Sequence, residues 1–299
     1  MTTTVRRRAD LPAYLLIAFS GMWLAMLPLL ITGYHRDSNE PGMGALQQIC
    51  VYAAMTSPAL AALFVLRYVA RVPDLRAALG LVLPRPWRKG LADCLLALFV
   101  PLALTVAALC VGAAFGVYAF DLRDLSGFRA EFAPDAGGNG IPWSTVAGWA
   151  VVLILQMLVS LPFFYGEELG WQGYLLPRLM PYGRLIGYAG TALVFALWHL
   201  PTLIMGGQYP GYSLLASVGA LVVSCLLVVP IFSWLRLRSN SVLPAVLAHT
   251  VVSSATVRTA WLLSDSDVEM DPMSIGLQAW PGWIVMGLFV VWLVRTRRI

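Results

Sequence analysis

The sequence predicts an all-α protein of the membrane, a polytopic bundle of about eight transmembrane helices forming one integral-membrane domain over residues 1–299. Three observations carry that prediction. The chain is 59% hydrophobic and only 12% charged, where soluble domains carry about 25% charged residues, and its mean hydropathy is +0.76. Its apolar residues gather into runs close to the ~20 residues that a spanning helix needs at 1.5 Å per residue. Its basic residues collect in alternate loops between those runs.

The runs can be taken in order. The N-terminus, M-T-T-T-V-R-R-R-A-D, is basic and precedes the apolar stretch Leu11–Thr32. At ~22 residues that stretch is too long for a signal-peptide core and no small-residue cleavage site follows it, so it is read as a retained first helix. The others are Leu46–Val69, Leu91–Tyr118, Val146–Leu179, Leu185–Met205, Tyr212–Leu235, Val242–Leu263 and Ala279–Val294. Pro162 is expected to interrupt the fourth and Pro201 the fifth, which membranes tolerate only where the freed backbone groups face protein or water. With the N-terminus in the cytoplasm, the inner segments hold 16 of the 20 basic residues, while the outer loops carry mostly acids. The positive-inside rule therefore places both termini in the cytoplasm. The inner loop Val72–Gly90, with L-P-R-P-W-R-K-G, suits the headgroup boundary. The outer loop Phe120–Trp143, with its G-G-N-G, is expected to be flexible. Asp93 reads as a helix cap, and Arg258 as a side chain snorkelling to the outer boundary.

Composition also excludes function classes. The net charge of +5 does not indicate nucleic acid, because the arginines are dispersed between apolar runs. The four cysteines, Cys50, Cys94, Cys110 and Cys225, show no C-x-x-C spacing, which argues against a disulfide framework or a zinc knuckle.

Against this background the stretch Gly166–Leu179, G-E-E-L-G-W-Q-G-Y-L-L-P-R-L, stands out. Glu167 and Glu168 lie within an apolar run, where a charge costs roughly 3 kcal/mol on insertion scales. Either the helix ends near Tyr165 and the pair is a solvated cap, or the carboxylates face a bundle interior and serve function. Two of the three histidines, His199 in F-A-L-W-H-L-P and His249 in L-P-A-V-L-A-H-T-V-V-S, also fall inside apolar runs. Measured from the nearest cytoplasmic helix end, Glu167 lies ~17 Å deep, His199 ~21 Å and His249 ~11 Å. These depths are compatible with one cavity open to the cytoplasm. Spacing of i and i+4 pairs Glu168 with Gln172, Phe195 with His199, and His249 with Ser253. Gly166, Gly170 and Gly173 form a small-residue stripe that lets another backbone approach. A carboxylate and an imidazole in a low-dielectric cavity can hold and deprotonate water, and His249 with Ser253 can donate to a tetrahedral oxyanion. Glu167, His199 and His249 are alternatively a ligand set for zinc with an open fourth position, although H-E-x-x-H is absent. The residues alone leave metal-bound and metal-free chemistry both open.

At these residues the chain resembles the CAAX-processing and bacteriocin-processing intramembrane proteases, the Abi family. The motifs E-E-x-x-x-R, F-x-x-x-H and H-x-x-x-N/D stand here as Glu167-Glu168-x-x-x-Gln172, Phe195-x-x-x-His199 and His249-x-x-x-Ser253, over roughly Val146 to Thr259. The resemblance implies an endopeptidase in which Glu167 and His199 activate water. His249 and the residue at Ser253 would stabilise the oxyanion, and Glu168 would tune its neighbour. It implies a membrane peptide or lipid-modified protein as substrate, the lipid bilayer as surroundings, and either zinc or no metal. Two positions depart from the pattern. Gln172 replaces an arginine, reducing an ion pair with Glu168 to a neutral hydrogen bond, and Ser253 replaces an amide or carboxylate. Those departures keep a second class in play, a non-catalytic immunity or scaffold protein of the same fold. An ion-coupled transporter is a third, disfavoured because no second glutamate-bearing repeat is present.

Overall fold

The computed structural model describes residues 10–36, 43–134 and 140–299. Arg6, Arg7, Arg8, Asp37, Glu40 and Asp135 of the charge pattern lie outside them, as does most of G-G-N-G. Among the described residues the chain is helical and strand-free, with one isolated bridge between Phe120 and Ser264.

The elements are α1 (Asp10–Ile31), α2 (Met43–Phe64) with a π-turn (Val65–Val69), α3 (Leu75–Leu79), α4 (Trp87–Ala114) and α5 (Ser126–Phe132). Then come α6 (Trp143–Glu168), a π-stretch (Leu169–Leu175), α7 (Leu176–Leu179) and α8 (Arg184–Trp198). The last are α9 (Leu200–Ile204), α10 (Leu214–Ser239), α11 (Leu243–Ser254), α12 (Thr256–Leu263) and α13 (Trp280–Arg295). Five helical runs are long and apolar enough to cross a membrane, and α8, α11 and α13 are shorter apolar helices. Together they answer one for one to the eight apolar runs of the sequence.

Burial follows from an apolar helix with little polar face. In α1 only Asp10 and the stripe Tyr14, Ala18, Met22, Met26 and Leu29 are buried, while Leu16, Leu24 and Ile31 stay exposed. A helix hydrophobic all round but packed on one stripe needs an apolar solvent for the rest.

The chain forms two compact units, Met1–Cys94 with Pro162–Val246 and Ile299, and Leu95–Leu161 with Leu247–Arg298. In the first, α1 meets α2 where Ser57 donates to the Ala18 carbonyl at 3.0 Å. The glycine stripe works as expected. A Cβ at Gly166 would stand 2.6 Å from the Met55 carbonyl oxygen, and one at Gly173 would stand 2.9 Å from that of Leu79, so only glycine lets α2 and α3 come this close. Arg178 on α7 pairs with Asp10 at the start of α1, at 2.6 Å. Asp93 is not a cap. It lies two turns inside α4, fully buried, and receives the Arg238 Nε at 2.5 Å. A carboxylate at that depth needs a charge partner more than a helix end needs a cap.

In the second unit, Leu109, Tyr118, Ala260 and Ile275 make a small core. The Tyr118 hydroxyl donates to the Ala260 carbonyl at 2.7 Å. The outer loop is not simply flexible, because α5 folds within it. Phe128 is fully buried, edge-on to Trp149 of α6 with centroids 5.4 Å apart, and the Gly127 N–H donates to the Ser264 carbonyl. Nor does Arg258 simply snorkel. The helix breaks at Ala255, and Arg258 donates to the freed Ser254 carbonyl at 2.6 Å and to Gln156 Oε1 at 2.8 Å.

Candidate active site

The α-helix carrying the glutamates does not stop at Tyr165, and Pro162 does not interrupt it. α6 runs through both to Glu168, and only then widens into the π-stretch, in which the N–H of Leu176 reaches the Trp171 carbonyl. Proline removes one ladder bond, which a membrane helix tolerates. The wider turn follows the carboxylates instead, and such turns concentrate at functional sites. The whole run Trp143–Tyr182 is 40 residues, or ~60 Å at α-helical rise, about twice the thickness of a hydrocarbon core. It is therefore longer than a single crossing needs.

Both carboxylates are buried, Glu167 at 3% and Glu168 at 1% exposure, which removes the solvated-cap reading. Glu167 is within electrostatic reach of the buried Cys225 on α10, and Glu168 of Tyr14 on α1. Gln172, buried in the π-stretch, accepts a hydrogen bond at 3.0 Å from Ser233 on α10. The π geometry replaces the i, i+4 relation on which a Glu168–Gln172 pair was expected. Sequence reasoning missed Ser233 because a serine in an apolar run carries no motif.

His199 stands at the break between α8 and α9, with φ −75° and ψ 0°. Pro201 in the first turn of α9 cannot donate to a preceding carbonyl, so the expected interruption of this helix occurs at the histidine itself. The Nδ1 of His199 lies 2.9 Å from the Phe195 carbonyl oxygen. A carbonyl can only accept, so Nδ1 carries a proton there. Phe195, expected on this face, lies edge-on to the imidazole at 4.8 Å, and Trp198 does the same at 4.9 Å. Trp171 of the π-stretch packs on both, at 5.7 Å from each ring. The Trp198 Nε1 donates to Ala18 of α1. The glutamate-bearing and histidine-bearing segments thus share one aromatic wall within the first unit.

His249 and Ser253 stand on α11 in the second unit. His249 is buried and Ser253 is exposed; the buried hydroxyls of that segment are those of Thr250 and Ser254. Among the described residues no group of three or more His, Cys, Asp or Glu side chains is placed to hold a metal ion. No step through zinc is therefore written below.

Residues 142–255 match the family of type II CAAX prenyl endopeptidase Rce1-like proteins. This segment is Rce1-like. It begins with α6 and ends with α11, so it contains every site residue expected from the sequence. No curated protein matches the chain. At the level of that family the match supports an intramembrane peptidase, acting on a membrane-associated substrate in a lipid bilayer.

Proposed function

We propose that this Rce1-like protein is an endopeptidase of the bacterial inner membrane that cuts a membrane peptide or lipid-modified protein, entered from the cytoplasmic side. The observation that carries the reading is the aromatic wall on which Trp171, just beyond the Glu167 helix, packs against Phe195 and Trp198, the two rings that lie edge-on to His199. Glu167 and His199 hold a water between them, and Glu167 takes its proton as the oxygen attacks the scissile carbonyl. The C–O bond forms and the carbonyl π pair moves to oxygen, where His249 donates to the oxyanion. The pair then returns, the C–N bond breaks, and the nitrogen leaves with the proton Glu167 held. Glu168 tunes its neighbour from a position without bulk water. Ser253, exposed as it is, has the smaller part.

The test is cleavage of a membrane-peptide library by purified wild type and Glu167→Gln, each with and without a strong chelator. The variant is expected to lose about 100-fold or more, the range of general-base catalysis, and the chelator to change nothing. Loss on chelation, restored by zinc, would instead make Glu167, His199 and His249 ligands. Undiminished cleavage by Glu167→Gln would remove the glutamate from its role. The replacement of arginine by Gln172 favours one other reading, a binding or immunity protein of the same fold, in which wild type and variant are equally inert while both bind the peptide.

A further inference from the structure

Away from the glutamates and His199, the first unit contains a groove of about 640 Å³. That volume falls in the range of about 300–1,000 Å³ usual for small-molecule sites. One wall is a single face of α2 and its π-turn: Leu60, Leu63, Phe64 and Arg67 recur at i, i+3, i+4 and i+7, with Tyr68 beside them. Ile17 of α1 and Leu75 of α3 close the other sides.

The face is graded in polarity along its length. It is apolar through Phe64, then ends in a guanidinium and a phenol. The helical run Gly44–Val69 is one of the candidate spans, and Arg67 stands two residues before its end. The apolar part therefore lies at hydrocarbon depth and the cation where a span meets the headgroups. Arg67 is exposed, 5.9 Å from the Tyr68 ring centroid, and forms no ion pair with any described residue. Arg71 and Arg76 follow it, also exposed. The single acid of this stretch, Asp74, accepts the Ala77 N–H as the cap of α3. Among the described residues, Arg67 is thus the one charged side chain that lines the groove, and the stretch that follows it is net positive.

We propose that the groove holds an acyl chain of an anionic phospholipid from the surrounding leaflet, with the lipid phosphate on Arg67 and Tyr68. An amphiphile of that kind has the same order of polarity as the face. Guanidinium is the side chain best matched to phosphate oxygens, which it can bind in pairs. A zwitterionic lipid offers the same chain and phosphate, but its ammonium group is repelled by Arg67 and offsets the attraction of the phosphate. The groove therefore selects by net charge as well as by apolarity. This assignment is independent of the peptidase reading, since it uses none of the residues assigned to that chemistry.

The experiment is native mass spectrometry of the full chain in detergent, titrated with phosphatidylglycerol or with phosphatidylcholine of the same acyl composition. Wild type is expected to hold one phosphatidylglycerol in preference by about fivefold or more, the factor that one interfacial arginine supplies. Arg67→Gln, an exposed substitution that leaves the fold alone, should abolish the preference. Leu63→Trp, which fills the groove, should lose the bound lipid of either kind. Inorganic phosphate at the same concentration should not displace it. Equal retention of the two lipids by wild type, an unchanged preference in Arg67→Gln, or displacement by phosphate alone would each overturn the proposal.

Discussion

Gln172 and Ser233 show what a buried amide demands. The serine is fully buried and the glutamine nearly so, and the 3.0 Å bond between them ties the π-stretch to α10 just beyond the glutamates. Removing the donor strands a carbonyl oxygen in the interior, which costs about 1–3 kcal/mol, whereas making both partners apolar can be nearly neutral. Ser233→Ala should therefore destabilise the protein by that amount in thermal unfolding in detergent. Adding Gln172→Met to Ser233→Ala should recover most of the loss. If Ser233→Ala unfolds at the wild-type temperature, the bond carries no weight and the π-stretch is held by its glycines and tryptophan alone. His199 makes the complementary point. One backbone carbonyl, four residues upstream, is enough to fix which ring nitrogen carries a proton.

Among the elements, α5 and its approach show how a polar loop acquires structure. Asp121 accepts the N–H groups of Arg123 and Asp124, each at 3.0 Å, and of Ser126 at 2.9 Å. These bonds, led by that from Asp124, hold its carboxyl well below the usual carboxylate range. A depressed folded-state pKa adds stability that is complete above the unfolded value of about 3.9 and is lost as pH falls from there toward the folded one. The unfolding temperature of wild type should thus exceed that of Asp121→Asn at neutral pH, and the gap should begin to narrow below about pH 4 and go on narrowing as pH falls further. A gap constant down to pH 3 would assign the effect to packing rather than to charge. Why this loop reads as flexible is clear from its composition: the glycines and acids are local signals, whereas Phe128 is buried by Trp149, which belongs to another element. The same division explains the rest of what was legible. Apolar length located the eight runs, charge out of place located Glu167 and Glu168, and Pro201 located the break at His199. The π-stretch was not legible, because G-W-Q-G suits an α-helix as well. Ser233 was not legible because its partner is 61 residues away.

For the whole molecule, the physical question is how the short helices complete a crossing. α8 has 15 residues and α11 has 12, or ~22 and ~18 Å, against ~30 Å of hydrocarbon. Each is followed by a second short helix, α9 or α12, which can supply the missing length. The distribution of basic residues predicts that they do, since only an odd number of crossings between the α3–α4 loop and the loop after α12 puts the first in the cytoplasm and the second outside. Five apolar segments lie between them: α4, the long run from α6, α8, α10 and α11. The prediction is read with single cysteines in a chain freed of Cys50, Cys94, Cys110 and Cys225. Leu83→Cys and Ser266→Cys, both at exposed positions, should react with a membrane-impermeant maleimide from opposite sides, Leu83→Cys from the cytoplasm. Labelling from the same side would mean that one of the five turns back within the bilayer. The short helix bearing His249 would be the first candidate, and the reach of that histidine toward a cytoplasm-facing substrate would have to be argued anew.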